Sequence, residues 1–346
     1  GPMAPARGGR GRRPVLLGLA ACCAAPALGL RTDRRQRGPG DQEDLVFAVE
    51  GRPLRSLELA RETRRAPEGR AIFAPRWFAG FDSSFAQIFG YMAIARAANA
   101  RLVLPRPEDV FAFGHGDRKH VAAWWDDYLE AEPPVFQEGQ VEPCAEQTWG
   151  ADRLGSELRQ GGAGAFYNHS APLCVRLDVV WYDLKRQVSE VADLYSAAAQ
   201  SGRLALNPSQ KVQNSFAEVL EELGGDFSAV HVRRGDMGHP QCTEQASVAT
   251  KMKDMGAAEP WLLASNAADA WFGAMKREAL RQNLTVTVET DVRSLTKISD
   301  NYFRYCLLKC AFGYANRFLG TYKHTPFECV PARRKMAQQV AFLCER

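Results

Sequence analysis

Several sequence features that mark common classes of nucleotide-binding protein are missing from this chain. No Gly-x-Gly-x-x-Gly motif follows any predicted strand, which argues against a nicotinamide or flavin dehydrogenase. No Asp-x-Asp triplet occurs, and the nearest metal-like sequence, Glu289–Asp291, is better interpreted as the cap of a strand. Cys306 and Cys310 are spaced four residues apart, but no Cys/His pair at zinc-finger spacing follows them.

The sequence also has little net charge outside its amino-terminal end. Of 44 basic and 40 acidic residues, eight arginines and one acid lie in residues 1–40, which leaves 36 basic and 39 acidic residues and a net charge of −3. A near-neutral body does not indicate a nucleic-acid-binding surface. The hydrophobic content of 46% is typical of a folded protein, and 346 residues are enough for two domains.

A long hydrophobic run is missing too. Val15–Leu30 is apolar and follows four arginines, but it is shorter than the roughly 20 residues that a membrane-spanning helix needs. The pattern predicts a cleaved signal peptide, with a membrane signal-anchor and an organellar transit peptide as alternatives. Gly1–Pro2 is interpreted as a scar of tag cleavage. Residues 1–44 are therefore predicted to be a targeting segment and linker.

The cysteines agree with a secretory location. Seven of the nine cysteines lie beyond the apolar segment, so at least one thiol is expected to stay free or to pair between chains. Cys306 and Cys310 are expected to be core or disulfide cysteines. We expect the protein in the lumen of the endoplasmic reticulum or Golgi, or secreted, with an organelle as the alternative.

The most informative stretch is Phe227–Asp236. Its first six residues form an apolar, β-branched run after a Gly-Gly-Asp turn, which predicts a buried strand. Arg233 and Arg234 follow at the carboxyl end of that strand, where open α/β sheets bind their ligands. Arginine there suits bidentate binding of a phosphate. An equally open interpretation is a solvated pair of arginines, or a salt bridge with Asp236.

His231–Asp236 resembles the His-x-Arg-Arg-Gly/Thr-Asp signature of the GDP-fucose-dependent fucosyltransferases, which include protein O-fucosyltransferases and alpha-1,2 and alpha-1,6 enzymes. An earlier segment is similar as well: Gln87, Ala93–Arg96 and Leu102–Pro105 resemble the family's first loop, helix and strand. The loop itself departs from the family, because Ala79–Ser84 replaces the usual Gly-Gly-x-Asn-Asn. The resemblance assigns Gly80 and Gln87 to donor binding.

A third segment, Phe318–Phe327, resembles the family's Phe-Ile-Gly-Asn/Thr-x-x-Ser-Ser/Thr-Phe, where a hydroxyl and a helix start meet the β-phosphate. His324 stands where serine is usual, and Thr325 keeps a hydroxyl. An ordinary threonine cap before Pro326 is the alternative interpretation. Gly320 belongs to the same segment, and Asn266 follows a strand where many members have Thr-Asp.

The order of apolar runs predicts an α/β protein. Strands and helices alternate from Phe227 onward, which implies parallel βαβ units and a Rossmann-like domain over residues 205–346. The predicted elements include a strand at Ala71–Ala74, a helix from Ser83 or Ser84 to Ala98, a strand at Leu284–Glu289, a helix capped by Asp300, and a terminal helix from Pro326; residues 133–180 are predicted as loops. The resemblance implies a GT-B-like fold, in which two Rossmann-like domains face each other across a cleft, with residues 45–204 as the acceptor-side domain.

The resemblance also implies the chemistry. Fucose would pass from GDP-fucose to a protein or glycan hydroxyl with inversion, without a cofactor or a required metal. Arg233 would stabilise the departing β-phosphate, Arg234 would support it, Thr325 would complete the phosphate site, and His231 would contact the nucleotide. Asp236 is assigned to the catalytic group as the residue that orients the arginines.

Two matters stay open at the level of sequence. The general base is not identified, because Asp236, Asp82 and His239 could each reach an acceptor hydroxyl. Other functions are an inactive family member that binds glycan or nucleotide only, and a secreted adhesion protein that uses Arg234–Asp236. No nucleic-acid partner is expected, and membrane attachment is expected only through the amino-terminal segment.

Overall fold

Short parallel strands form the framework of the molecule. The computed structural model describes residues 70–77, 80–110, 121–141, 147–161, 174–202, 204–234, 241–256, 258–321 and 339–344. Within these ranges the strands are β1 (Ala71–Phe73), β2 (Arg101–Leu104), β3 (Leu129–Glu132), β4 (Phe136–Gln137), β5 (Gln147–Trp149), β6 (Cys174–Leu177), β7 (Ala205–Pro208), β8 (Ser228–Val232), β9 (Trp261–Ser265), β10 (Val286–Val288), β11 (Arg317–Gly320) and β12 (Gln339–Phe342).

Helices separate most of these strands. In the same described ranges the α-helices are α1 (Phe81–Ala97), α2 (Pro107–Val110), α3 (Ala151–Gly161), α4 (Trp181–Gln187), α5 (Ser189–Ser201), α6 (Gln210–Glu222), α7 (Gln245–Asp254), α8 (Asp269–Arg281), α9 (Arg293–Thr296) and α10 (Asn301–Tyr314). Turns of 3-10 helix lie at Trp125–Asp127, Gln241–Thr243 and Glu289–Asp291. None of the described helices is long and apolar enough to cross a membrane.

Ten of the strands form two five-stranded sheets. The first has the order β4-β2-β1-β6-β5 and the second the order β10-β9-β8-β11-β12, and all neighbours run parallel. Parallel neighbours need crossover connections, which helices between the strands supply. The arrangement confirms the predicted fold class, an α/β protein with two Rossmann-like sheets. The predicted domain boundaries at 44/45 and 204/205 stay predictions.

Strand β8 lies at the centre of the second sheet. Its five residues are all buried, because β9 and β11 flank it and apolar side chains cover both faces of a parallel sheet. His231 lies opposite Ala264 of β9 and Gly320 of β11 in the strand register. The predicted strand is confirmed to within one residue, and Arg233 and Arg234 do follow its carboxyl end.

Helix α10 connects the second sheet to the preceding part of the chain. The Asp300 carboxylate accepts hydrogen bonds from the backbone N–H groups of Tyr302 and Phe303, at 2.8 and 3.2 Å, which confirms the predicted cap. Its other oxygen accepts from the Tyr128 hydroxyl at 2.5 Å and from the Ala122 N–H at 3.1 Å. One carboxylate therefore starts the helix and holds it against the segment that leads into β3.

The prediction of loops for residues 133–180 is wrong. The structure places β4, β5, α3 and β6 within that range. The strands are only two to four residues long, so they carry too few residues to show a period. Helix α3 is polar on most of its surface, with Leu154 and Leu158 buried at helical spacing, and its glycine-rich end resembles a loop in sequence.

Three predicted boundaries are corrected. Helix α1 begins at Phe81 with Gly80 as its cap residue, because the Ser84 hydroxyl accepts a hydrogen bond from the Trp77 indole instead of capping the helix. The strand predicted at Leu284–Glu289 is shorter, and the backbone turns into a 3-10 helix at Glu289. The predicted terminal helix starts at Pro326, outside the described residues, and residues 339–342 form strand β12 and not the end of a helix.

The cysteines behave as expected from their sequence context. Cys242 and Cys344 form a disulfide that ties the region before α7 to the residues after β12. Cys174 and Cys310 are also disulfide-bonded. Cys306 is a free thiol, fully buried in α10, and burial raises its pKa. Cys306 and Cys310 are thus core and disulfide cysteines, as predicted.

Candidate active site

A cleft of about 560 Å³ opens at the carboxyl ends of β8, β9 and β10. The start of α1 and one face of α10 form its other walls. Five residues singled out from the sequence line it together: Gly80, Asp82, His231, Arg233 and Asn266. The volume lies in the range of small-molecule sites, and the position is where open α/β sheets bind ligands.

The backbone around Arg233 is fixed from both sides. Its N–H donates to the Thr321 hydroxyl at 2.7 Å, and that hydroxyl donates to the His231 carbonyl oxygen at 3.0 Å. Thr321 is fully buried just after β11, so the ends of two neighbouring strands are joined by one side chain. This contact holds the base of the Arg233 side chain in place at the edge of the cleft.

Arg234 points to different partners. Its guanidinium donates to the Thr243 carbonyl oxygen at 3.2 Å, lies 3.4 Å from a Glu244 carboxylate oxygen and sits over the Trp271 ring at 5.6 Å. Its backbone forms a reciprocal pair with Asn266, whose side-chain oxygen accepts from the Arg234 N–H at 2.6 Å and whose amide donates to the Arg234 carbonyl at 2.7 Å. Arg234 and Asn266 therefore shape the loop after β8.

His231 is held by aromatic rings. It is 8% exposed, stacks on Phe312 with ring centres 5.2 Å apart and lies 6.0 Å from the Tyr305 ring. Aromatic contacts of this kind fix the orientation of a ring in addition to burying it. The His231 side chain lines the cleft as a rigid, partly polar surface.

A charged cluster joins the start of α1 to α10. The Asp82 carboxylate pairs with the Lys309 ammonium group, and its second oxygen accepts from the Tyr305 hydroxyl at 3.0 Å. The Lys309 side chain is 5% exposed, whereas that of Asp82 is 40% exposed and faces the cleft. Burial raises the pKa of Tyr305, the Asp82 charge raises it further, and the Arg233 charge opposes both. Asp82, where the sequence departs from the family loop, is thus a partner of a buried lysine.

Glu289 and Arg304 also line the cleft, and neither was singled out for a role there from the sequence. One oxygen of the Glu289 carboxylate accepts from the Ser265 N–H at 3.0 Å. Burial raises the pKa of Glu289, while that hydrogen bond and the charge of Arg304 lower it. Glu289 follows β10 directly. The rule that ligands bind at the carboxyl ends of strands, which singled out Arg233, could therefore have singled out Glu289 from the sequence as well.

Other predicted site residues lie elsewhere or outside the described ranges. Gln87 lies on the buried face of α1 and is 2% exposed, and its side-chain oxygen has no hydrogen-bond partner among the described residues. Gly320 is buried at the end of β11, where its carbonyl accepts from the Leu343 N–H at 2.8 Å. Asp236, His239, His324 and Thr325 lie outside the described residues.

The described residues contain no group of three or more His, Cys, Asp and Glu side chains that could hold a metal ion. This finding concerns the described residues alone, so the predicted metal independence remains a prediction.

No family model and no curated protein matches the chain. Among solved structures, it is similar to NodZ alpha-1,6-fucosyltransferase co-crystallised with GDP, at 10% identity and a TM-score of 0.47, over 75% of this chain and 90% of that one. It is also similar to POFUT1 in complex with GDP-fucose, at 14% identity and a TM-score of 0.46, over 74% and 91%. A third is the fucosyltransferase NodZ from Bradyrhizobium, at 12% and 0.44, over 73% and 87%.

Proposed function

We propose that this protein transfers fucose from GDP-fucose to a hydroxyl group of a protein or glycan, with inversion and without a required metal. The observation that carries the proposal is the placement of Arg233, from the fucosyltransferase-like motif, beside the cleft at the end of the central strand β8. His231 of the same motif lines the same cleft. A motif that resembles a donor-binding signature thus coincides with a cavity of suitable size and position.

The proposed reaction makes one bond and breaks one. The acceptor oxygen attacks the anomeric carbon of fucose from the face opposite the diphosphate, the bond from that carbon to the β-phosphate oxygen breaks, and GDP leaves with the bonding electrons. Negative charge grows on the departing phosphate, and the Arg233 guanidinium stabilises it. Because an arginine can supply this positive charge, the mechanism does not need a metal ion to do so.

The acceptor hydroxyl must lose its proton to a base. Of the three candidates from the sequence, Asp82 is described, and its carboxylate is engaged by Lys309 and Tyr305. A carboxylate held by an ammonium group is a weaker base than a free one. We therefore assign Asp82 to positioning the start of α1, which leaves Asp236 and His239 as the candidate bases.

We also propose a secretory location, in the lumen of the endoplasmic reticulum or Golgi or outside the cell. The disulfide between Cys242 and Cys344 supports it, because disulfides persist in oxidising compartments. An organellar location is the alternative. The proposed acceptor group is a hydroxyl.

The alternative of adhesion through Arg234–Asp236 is disfavoured by one observation. Adhesion would require the Arg234 guanidinium to be presented to a receptor, but it is bound by the Thr243 carbonyl and packed over Trp271, with its side chain 22% exposed. Only a measurement of turnover distinguishes an active protein from an inactive one that still binds the nucleotide.

Calorimetric titration with GDP, UDP and ADP tests the donor class. We expect GDP to bind with a micromolar dissociation constant, and UDP and ADP to bind at least tenfold more weakly. Equal affinities for the three nucleotides, or no binding of any, would contradict the proposed function. Inorganic pyrophosphate is the control for binding by the phosphates alone.

A further inference from the structure

Glu289 is a partly buried acid in the cleft to which the proposed mechanism gives no role. It stands at the carboxyl end of β10 and begins the 3-10 turn that follows. Its side chain lines the same cleft as Arg233 and Asn266. An ionised group that is withdrawn from water costs free energy unless it is paired, so a carboxylate in this place needs partners.

The described part of the protein fills only some of the hydrogen-bond acceptor positions of the Glu289 carboxylate. Ser265 donates one backbone N–H to it, at 3.0 Å, and Arg304 is the nearby positive charge on α10. A carboxylate has about four acceptor positions. Among the described residues, the Ser265 N–H is its one hydrogen-bond donor, so further acceptor positions are left for a ligand in the cleft.

The sheet order separates Glu289 from the reacting bond. β10, β9 and β8 are consecutive neighbours in the second sheet. Adjacent strands are about 4.8 Å apart, so the end of β10 lies about 10 Å from the end of β8, which carries Arg233. A general base must come within hydrogen-bond reach of the attacking hydroxyl, close to the diphosphate. A group that begins two strands along the sheet from the phosphate-binding arginine instead suits the nucleoside end of the donor.

Resting on the proposed function, we infer that Glu289 is the residue that selects the nucleobase, by accepting hydrogen bonds from the N1–H and the 2-amino group of guanine. Guanine presents these two donors side by side. Adenine has an acceptor at N1 and no 2-amino group, and uracil places carbonyl oxygens on both sides of its N3–H. A carboxylate is repelled by the uracil oxygens and by the lone pair on adenine N1. Glu289 therefore favours guanine by attraction and disfavours the other two bases by repulsion.

Inosine diphosphate tests the inference without changing the protein. It differs from GDP by the loss of the 2-amino group and has the same sugar and phosphates. A hydrogen bond to a charged group contributes about tenfold or more to affinity. We therefore expect GDP to bind the wild-type protein at least about tenfold more tightly than inosine diphosphate, whereas pyrophosphate reports the phosphate site alone.

Glu289→Gln, with Asp291→Asn as the matched control, provides the second arm. Glutamine keeps an oxygen for the Ser265 N–H but has lost the charge and half of the acceptor groups. Asp291 is two residues away, and its carboxylate binds Lys276 and the Val288 N–H. We expect Glu289→Gln to weaken GDP about tenfold to a hundredfold, to remove the preference for GDP over inosine diphosphate and to leave pyrophosphate binding unchanged. Asp291→Asn should keep the preference.

The pH dependence gives an independent readout. Burial raises the pKa of Glu289, and the groups that face it are the Ser265 N–H on β9 and Arg304 on α10. As the pH falls through this raised pKa, the carboxylate becomes protonated and can no longer accept both hydrogen bonds. The ratio of the GDP and inosine diphosphate affinities should therefore fall in acid, while the titration of the phosphates, which both ligands share, cancels in the ratio.

The outcomes separate this inference from the proposed function. If no nucleotide binds the wild-type protein, the proposed function is wrong. If GDP binds but inosine diphosphate binds equally well, or if Glu289→Gln keeps the preference, the proposed function stands and the role of Glu289 is overturned. Loss of turnover in Glu289→Gln with unchanged GDP affinity would assign Glu289 to catalysis, and it would overturn the inference too.

Discussion

At the scale of single residues, the main result is that two adjacent arginines have different surroundings. Successive residues of an extended chain point to opposite sides. Arg233 accordingly lines the cleft, and Arg234 reaches the Thr243 carbonyl, Glu244 and the Trp271 ring. Two adjacent arginines of one sequence motif therefore differ: Arg233 lines the cleft, and Arg234 binds groups of the protein.

Arg234→Ala should reduce stability more than turnover. The change removes a hydrogen bond to a carbonyl and a contact with an indole ring, which together contribute about 1–2 kcal/mol to the free energy of unfolding. Thermal melts and initial rates for the same preparation measure both quantities. Arg281→Ala is a matched control, because that guanidinium is 74% exposed beside Glu278 and its removal should change neither. A melting temperature equal to wild type with strongly reduced turnover would place Arg234 in the active site.

At the scale of elements, α10 of the second sheet's part of the chain contacts both α1 and the segment before β3. Asp300 at its first turn binds Tyr128, and Tyr305 and Lys309 further along bind Asp82 of α1. These contacts set the position of Gly80 and the start of α1 relative to the second sheet. The helix therefore fixes the width of the cleft as well as forming one of its walls.

Removing Asp82 and removing Lys309 should lower the free energy of unfolding by different amounts. Asp82→Asn leaves the Lys309 ammonium, whose side chain is 5% exposed, without this carboxylate, whereas Lys309→Met leaves a carboxylate that is 40% exposed and can be solvated. An uncompensated buried charge costs about 3 kcal/mol or more. We expect Asp82→Asn to lower the free energy of unfolding by at least about 1 kcal/mol more than Lys309→Met.

Denaturant unfolding of the two variants measures this difference. The double variant Asp82→Asn/Lys309→Met should recover part of the loss, since it removes both charges of the pair. Equal effects of the two single changes would contradict the predicted asymmetry, and additive effects in the double variant would mean that the pair does not stabilise the contact between α1 and α10.

At the scale of the whole molecule, the sequence was informative where local rules decide the structure. The strand before Arg233, the strand that begins at Ala71 and the Asp300 cap follow from short apolar runs and one capping residue, and the structure confirms them. Residues 133–180 were mispredicted as loops, because strands of two to four residues show no period and depend on their neighbours in the sheet.

The candidate site was only partly accessible from the sequence for a similar reason. Arg233, His231, Asn266 and Gly80 come together because the sheet and α1 bring distant segments to one cleft. The partners of Asp82 could not be foreseen, since Tyr305 and Lys309 lie 223 and 227 residues away in the chain. Gln87 shows the opposite error: a residue assigned by resemblance alone lies in the core.

The central claim is that Arg233 stabilises the departing diphosphate, and it is tested by the rate of GDP release from GDP-fucose in the wild type, Arg233→Ala and Arg233→Lys, with GDP affinity and thermal melts measured beside it. The account predicts that Arg233→Ala lowers kcat by about 100-fold or more, with a smaller effect on GDP affinity and a near-normal melt. Lysine should restore little, because one ammonium cannot replace the planar guanidinium. Near-normal turnover in a well-folded Arg233→Ala protein would contradict the account.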